Sequence, residues 1–222
     1  NQVSILANLS KHAVEIGKSG INLNADLGVG LEAVKTEFAI VDKNSSNFFN
    51  TTLDPKVTFR KGDSYLMLGS TFSFLNAKNS NDVLGGEVKN NKTYWFPQAE
   101  FQVAAAKEFK FYGGVDGGLK LNTFGDLLQA NPFIVSDQFL KLTETKYHFY
   151  VGLRGDIDET FKYDFSAGYG KMKDIMFFQG NNLFDNVYTL NRSAYNFANT
   201  FSAVYDDGNV SDIKGSVQYF PL

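Results

Sequence analysis

Hydrophobic and polar residues alternate along much of the chain, most clearly over residues 108–122. One side of this segment carries Phe109, Phe111, Gly113, Val115, Gly117, Leu119 and Leu121, and the other carries Lys110, Tyr112, Asp116, Lys120 and Asn122. A period of two residues is typical of a β-strand. Strands of soluble proteins usually have about five or six residues, whereas a tilted strand that crosses a bilayer needs roughly nine to eleven. The length of this segment therefore favours a transmembrane strand.

The same alternation recurs along the sequence and predicts about ten strands. They are expected at residues 3–9, 21–34, 57–61, 65–75, 93–107, 108–122, 145–157, 160–171, 192–205 and 211–220. A short helical turn is predicted at residues 125–129, where the alternation is interrupted before the Asn131-Pro132-Phe133 stretch. Because tight turns join successive strands into hairpins, the strands should form an antiparallel meander.

Short and long connections alternate between these strands. Tight turns are predicted at residues 61–64, 107–108, 158–159 and 206–209, and long loops at residues 39–55, 76–92, 124–143 and 174–187. Outer-membrane barrels join their strands by short turns on one side and longer loops on the other. The pattern predicts an all-β fold, an antiparallel up-and-down meander forming a transmembrane β-barrel of about ten or more strands. Residues 1–222 form one domain in this interpretation, either a whole barrel or a fragment of one.

Composition agrees with this interpretation and excludes other classes. The 222 residues are 43% hydrophobic with a mean hydropathy of -0.22, and no apolar run is long enough for a spanning helix. A barrel strand offers only every second side chain to lipid, so its apolar signal is averaged away. The net charge of -3 without a basic tract gives no basis for nucleic-acid binding. The sequence opens at Asn1 without a charged and apolar leader, so an export signal is expected to have been removed or to lie outside it.

The alternation divides the strand residues into two candidate sets. The apolar set is expected to face lipid and comprises Phe101, Val103, Phe109, Phe111, Val115, Leu119, Phe149, Val151, Leu153 and Phe165. The charged set is expected to line the barrel interior and comprises Glu100, Lys110, Asp116, Lys120, Arg154, Asp156, Lys162 and Asp164. These charges could border a hydrated channel that contacts solute. Alternatively they pair across strands and fill the interior, and the mixture of signs favours that alternative.

Catalysis and cofactor binding are not predicted. His12 and His148 are the only histidines and have no metal-ligand spacing, cysteine is absent, and no nucleophile motif occurs. The glycine-rich stretch 113–118 lies within a strand and leads into no helix, so it indicates close packing or sheet curvature rather than a phosphate loop. The chain is therefore expected to be no enzyme, with no cofactor and no metal.

Several short stretches between residues 94 and 178 resemble a family of Bacteroidota outer-membrane barrels known as TonB-dependent receptors or receptor-like proteins. The stretches that carry the resemblance are Phe96-Pro97, Tyr112-Gly113-Gly114-Val115-Asp116-Gly117-Gly118, Asn131-Pro132-Phe133 and Tyr150-Val151-Gly152-Leu153-Arg154-Gly155. The resemblance implies a larger single-chain barrel of which this sequence covers part, and it implies energised uptake. The sequence contains no recognisable plug domain or TonB box, which leaves a passive or structural role open.

Three functional hypotheses follow. The first is a receptor-like or porin-like role in solute transport, in the outer membrane of a bacterium and in contact with its lipid. The second is a non-transporting barrel that acts as a scaffold or accessory subunit and binds other envelope proteins through its long loops. The third is a soluble β-sandwich binding module, in which the apolar stripe would form a core between two sheets.

Overall fold

The computed structural model describes residues 2–38, 45–81, 86–135, 138, 140–157, 160–181 and 200–220. They form nine strands: β1 Gln2–Glu15, β2 Asn22–Glu37, β3 Ser45–Lys61, β4 Ser64–Asn81, β5 Gly86–Ala104, β6 Lys110–Leu121, β7 Leu142–Ile157, β8 Phe161–Gly180 and β9 Phe201–Tyr219. One short helix, α1, spans Phe124–Ala130. Each strand pairs antiparallel with the next in a single sheet. The predicted all-β antiparallel meander is confirmed, and within the described residues the sheet is open, since β1 and β9 do not pair with each other.

Several strands extend well beyond their predicted bounds. The predicted loops at 39–55 and 76–92 are largely strand, because β3 begins at Ser45, β4 continues to Asn81 and β5 begins at Gly86. These segments are rich in Asn, Ser and Lys, which have low strand preference, but backbone pairing outweighs that preference. Residues 45–53 pair with both β2 and β4, whereas residues 86–92 pair with β4 alone. Residues 39–44 and 82–85 lie outside the described part of the chain.

The turn predicted at residues 206–209 is wrong. Instead of two strands joined there, β9 runs without interruption, and its Gly208 and Asn209 pair with Met172 and Lys171 of β8. The register shifts just beyond, between Met172 and Ile175, where Asp174 adopts a positive φ of 52° and donates its N–H to Asp207 Oδ1 at 3.0 Å. Residues 174–180, predicted as loop, belong to β8, and the predicted strand residues 192–199 lie outside the described residues.

Tight connections gather at one end of the sheet. The turn predicted at residues 61–64 is confirmed, with Lys61 paired to Ser64 and Gly62 at a φ of 57°. The turn predicted at 107–108 is a longer connection, in which the Ala105 N–H donates to the Phe109 carbonyl at 3.1 Å. The turn predicted at 158–159 is not within the described residues. The connection from β6 to β7 is long, and its described residues lie at the opposite end of the sheet, where β8 ends and β9 begins.

The buried core lies on one face of the sheet, here called the inner face, at the end with the long connections. The 122–141 segment folds onto this face, and its helix α1 confirms the predicted helical turn. A capping box between Thr123 and Asp126 begins the helix. The hydrophobic cluster joins the segment to strands β2 to β6 and consists of Val34, Phe48, Leu75, Ala77, Tyr94, Phe96, Leu121, Leu127, Ile134 and Leu140. The segment thus occupies part of the space that the sheet curves around.

The other face, here called the outer face, is apolar and exposed along the whole sheet. Large side chains that are exposed there include Ile5, Leu27, Leu31, Val57, Leu66, Leu68, Trp95, Val103, Phe111, Phe149, Val151, Phe165, Phe177, Ile213 and Val217. No second sheet covers them in the described part of the chain. The β-sandwich hypothesis is therefore wrong in its fold, since it requires these side chains to pack between two layers.

Among the described helical residues, no segment has the length and apolar content needed for a membrane span.

Candidate solute-binding pocket on the inner face

Most of the charged residues predicted to line an interior lie together on the inner face. These are Glu100, Lys110, Asp116, Arg154, Asp156, Lys162 and Asp164, which follow the same alternation as the inward Phe96 of β5 through the strand register. Hydrogen bonds link several of these charged side chains to polar side chains on other strands. For example, the Tyr150 hydroxyl of β7 donates to Glu100 of β5 at 2.7 Å.

Lys120 and Leu119 are exceptions, and their predicted positions are exchanged. The register between β6 and β7 shifts between Asp116 and Gly118. Beyond the shift Leu119 and Leu121 pack against the inner cluster, so Lys120 between them points to the outer face. A Cβ atom at Gly117 would lie 3.0 Å from the ring of the inward Phe96, so position 117 lies on the inner face. The alternation then places Leu119 and Leu121 on the same face. The shift inverts the alternation, which is why both assignments from the sequence fail.

The remaining apolar candidates lie on the outer face. These are Phe101, Val103, Phe111, Val115, Phe149, Val151, Leu153 and Phe165, with Phe109 exposed in the connection just before β6. The Phe101 and Phe111 rings pack side by side with centroids 5.8 Å apart. Contact of this face with lipid remains a prediction.

A network of tyrosine, glutamine and arginine side chains fixes the inner face near the short connections. Gln102 is only 6% exposed, donates to the Asp63 carbonyl at 2.6 Å and accepts from Arg154 Nε at 2.7 Å. The Arg154 guanidinium also lies over the Tyr112 ring, 4.9 Å from its centroid. The Tyr112 hydroxyl in turn donates to Asp164. Arg154 is therefore held from two sides.

Glycines make room for the tyrosine rings of this network. A Cβ atom at Gly152 would lie 2.4 Å from Tyr112 Cζ, and one at Gly114 would lie 2.6 Å from the Tyr150 hydroxyl. Neither position can hold a larger side chain without moving a ring or the neighbouring backbone. The glycine-rich stretch thus provides close packing, as predicted.

The network borders a cavity of about 620 Å³ on the inner face of β6 to β9. Most of its lining residues have polar or charged side chains, and the lining comprises Gln102, Lys107, Lys110, Tyr112, Arg154, Gly155, Asp156, Lys162, Tyr163, Asp164, Ser166, Lys214, Gly215, Ser216 and Gln218. Five cationic side chains face two carboxylates in this set. The cavity is therefore a candidate site for a polar solute.

Three of the five cations have carboxylate partners. Lys110 Nζ lies 2.7 Å from Asp63, Lys162 Nζ 3.5 Å from Asp156 and Lys214 Nζ 3.2 Å from Asp212. Among the described residues Arg154 and Lys107 form no ion pair. The lining thus carries five positive and two negative side chains, and Asp63 and Asp212 just outside it compensate Lys110 and Lys214.

Asp63, in the turn after β3, offers a test of this electrostatic arrangement. Its hydrogen bond and charge interaction with Lys110 hold the pKa of the Asp63 carboxyl below its ordinary value. A lowered pKa stabilises the fold above the unfolded-state pKa, and that contribution is lost as the pH falls through the folded-state pKa. We expect the carboxyl ¹³C titration of Asp63 to have a midpoint below that of an ordinary aspartate, and the midpoint to rise in Lys110→Gln. A midpoint that does not change in this variant would contradict the pairing.

Sequence reasoning missed several residues of the site. Gln102, Lys107 and Lys214 were not selected, although Gln102 falls on the polar side of a predicted strand, so the alternation already indicated it. His148 also acquires partners that the sequence does not reveal, with Nε2 2.8 Å from Asp212 and Nδ1 3.6 Å from Asp116. In the described ranges no group of three or more His, Cys, Asp or Glu side chains could hold a metal ion.

No protein-family model matches the sequence, and no curated protein matches it. A solved structure does share the fold, that of a protein described as the copper transporter OprC. The two are 12% identical with a TM-score of 0.57, and the match covers 99% of this chain and 35% of that one. The chain thus spans about a third of that protein's length. At this identity the likeness shows the fold alone, a meander that forms part of an outer-membrane-type β-barrel.

Proposed function

We propose that this chain forms part of the wall of a bacterial outer-membrane β-barrel with a receptor-like or porin-like role in solute transport. The observation that carries the proposal is the difference between the two faces of one single-layer sheet. The outer face exposes large apolar side chains along its whole width, while the inner face carries charged networks and a polar cavity. A wall between lipid and water needs this arrangement.

The fold likeness to a transporter and the resemblance to TonB-dependent receptor-like barrels both support the transport role. The resemblance alone supports a Bacteroidota origin and energised uptake. Copper, which the neighbour's name specifies, is not part of the proposal.

The edges of the sheet support a larger barrel. Apart from the bridge between Ile134 and Phe201, the free edges of β1 and β9 have no pairing partner in the described residues. An unpaired backbone edge in hydrocarbon costs several kcal/mol for each unsatisfied group. We therefore propose that further strands, from the same polypeptide or from a partner, complete the wall.

A second candidate is supported by the 122–141 segment. Its Ile134 bridges to Phe201 of β9, while Leu127 and Leu140 belong to the cluster on β2 to β6. The segment therefore crosses the inner face from one side of the sheet to the other and fills space there. Such filling favours a non-transporting barrel that serves as a scaffold or accessory subunit of an envelope complex.

Ion conductance separates the two candidates. The full-length protein that carries this chain would be reconstituted into planar bilayers, with heat-denatured protein as the control. Stepwise current that only the native protein produces is the expected result for the transport role. Absence of current, together with envelope proteins that co-purify in detergent, would contradict transport and support the scaffold. A monodisperse protein that needs no detergent and does not bind vesicles would overturn both.

A further inference from the structure

The cavity at the short-connection end of the inner face has the chemistry of an anion site. We infer that it binds the oxyanionic group, a carboxylate or a phosphate, of a small soluble solute, and that Arg154 is the principal contact. The inference rests on the proposed function, in that the inner face must be open to water. It adds to that function a substrate class and a binding residue.

Contacts within the protein already fix the orientation of the Arg154 guanidinium. The Gln102 side-chain carbonyl accepts from its Nε and from one terminal nitrogen, and the Tyr112 ring supports the guanidinium plane. Gln102 is itself buried and fixed by the Asp63 carbonyl. A guanidinium has five N–H donors, so donors remain after these contacts. A donor group whose orientation is already fixed loses little entropy when it binds a ligand.

The charges around the cavity select an anion over a cation. Asp164 accepts from the Tyr112 hydroxyl, and Asp156 Oδ2 lies 3.5 Å from Lys162 Nζ, while Asp156 Oδ1 has no hydrogen-bond partner among the described residues. Lys107 lines the cavity close to Arg154 in the fold, since its carbonyl accepts from the N–H of Asp156. A cation would find one carboxylate oxygen without a hydrogen-bond partner, Asp156 Oδ1, in a lining that carries five cationic side chains. An oxyanion would find two cations that lack a carboxylate partner in the described structure.

The size and the neutral donors of the cavity indicate a metabolite-sized ligand. A volume of about 620 Å³ lies within the range of ordinary small-molecule pockets, roughly 300–1,000 Å³. Ser166, Ser216 and Gln218 line it and can form hydrogen bonds with hydroxyl groups of the same solute. The site therefore suits a compact hydroxylated molecule with one anionic group.

The test is calorimetric titration of the detergent-solubilised protein with three probes of similar size. Glucose 6-phosphate carries a phosphate, gluconate a carboxylate, and glucose no charge. We expect at least one of the two anions to bind, and glucose to bind at least about tenfold more weakly, because hydrogen bonds between charged groups are roughly twice as strong as those between neutral ones. Comparing phosphate with carboxylate identifies which oxyanion the site prefers.

Substitutions locate the binding. Arg154→Gln should weaken the affinity for the anion about tenfold or more, and Arg154→Lys should fall between Gln and the native residue because it keeps the charge without the fork of donors. Lys107→Gln should weaken it severalfold. Lys56→Gln is the matched control, because Lys56 lies on the inner face in β3 but does not line the cavity. It should leave the affinity unchanged.

Equal binding of glucose and the anions would overturn the inference, as would equal losses in Lys56→Gln and Arg154→Gln, or failure of all three probes to bind. If Arg154→Gln does not fold, judged by heat-modifiable migration on gels, Lys107→Gln in the exposed connection decides the question. Anion binding without conductance would contradict the transport role and leave the site in place. Conductance without anion binding would contradict the anion site and would leave the transport role standing.

Discussion

Replacing Phe149 by arginine is expected to reduce the free energy of unfolding in lipid vesicles by about 2–4 kcal/mol. Phe149 lies near the middle of β7 and is 53% exposed on the outer face, between Val115 of β6 and Tyr169 of β8 in the strand register. At that position a guanidinium would be placed near the bilayer midplane, where its desolvation is most costly. Reversible urea unfolding in phosphatidylcholine vesicles, followed by tryptophan fluorescence, measures the change.

Ile157→Arg is the depth control for this prediction. Ile157 is the last residue of the same strand and is 40% exposed. Near the interface arginine costs only about 0–1 kcal/mol, because its charged head reaches water. Equal effects of the two substitutions, or no effect of either, would show that the outer face does not contact hydrocarbon.

Truncating Leu127 to alanine is expected to destabilise the protein by about 2–5 kcal/mol. The Leu127 side chain is 0% exposed and joins helix α1 to the inner cluster. Its removal leaves a cavity where the 122–141 segment packs against the sheet. The same unfolding experiment in vesicles measures the loss.

Leu128→Ala provides the matched comparison one position along the helix. Leu128 is 41% exposed, so its truncation should change the free energy of unfolding by no more than about 0.5 kcal/mol. If Leu128→Ala costs as much as Leu127→Ala, the helix does not pack as described. Both variants keep the capping box, and alanine favours helix, so the comparison isolates burial.

The meander could be predicted from the sequence because the two faces of its central strands differ in polarity, so the alternation of apolar and polar residues assigns each side chain to one face. Strands β2, β6 and β7 lie close to their predicted positions for this reason. Helix α1 was predicted because the alternation stops where the chain leaves the sheet. Local pattern thus sufficed wherever the two faces differ in polarity.

Strand ends could not be predicted in the same way. β5 has 19 residues, which at about 3.3 Å each extend roughly 60 Å, whereas the apolar band of outer-membrane-type barrels is only about 25 Å tall. The part of a strand that lies outside that band has polar residues on both sides, as at Asn90 and Asn91. Without contrast between faces the pattern resembles that of a loop, and only the pairing partner reveals the strand.

The candidate site depends on contacts that span long sequence separations. Gln102 lies 39 positions from Asp63 and 52 from Arg154, and their contact requires the register of three strand pairs. A single register shift near Gly117 was enough to exchange the faces of Leu119 and Lys120. Glycine has no side chain whose polarity would reveal such a shift. A register shift at a glycine is therefore not visible in the sequence, and the residues that follow it, here Leu119 and Lys120, are assigned to the wrong face.

Antiparallel pairing in chain order also fixes the direction of the two boundary strands. With nine strands in the described part of the meander, β1 and β9 run the same way, so joining them edge to edge would create a parallel seam. Single-chain bacterial barrels have an even strand count and close antiparallel. A ring of that kind built on this sheet must therefore insert an odd number of strands between its two boundaries.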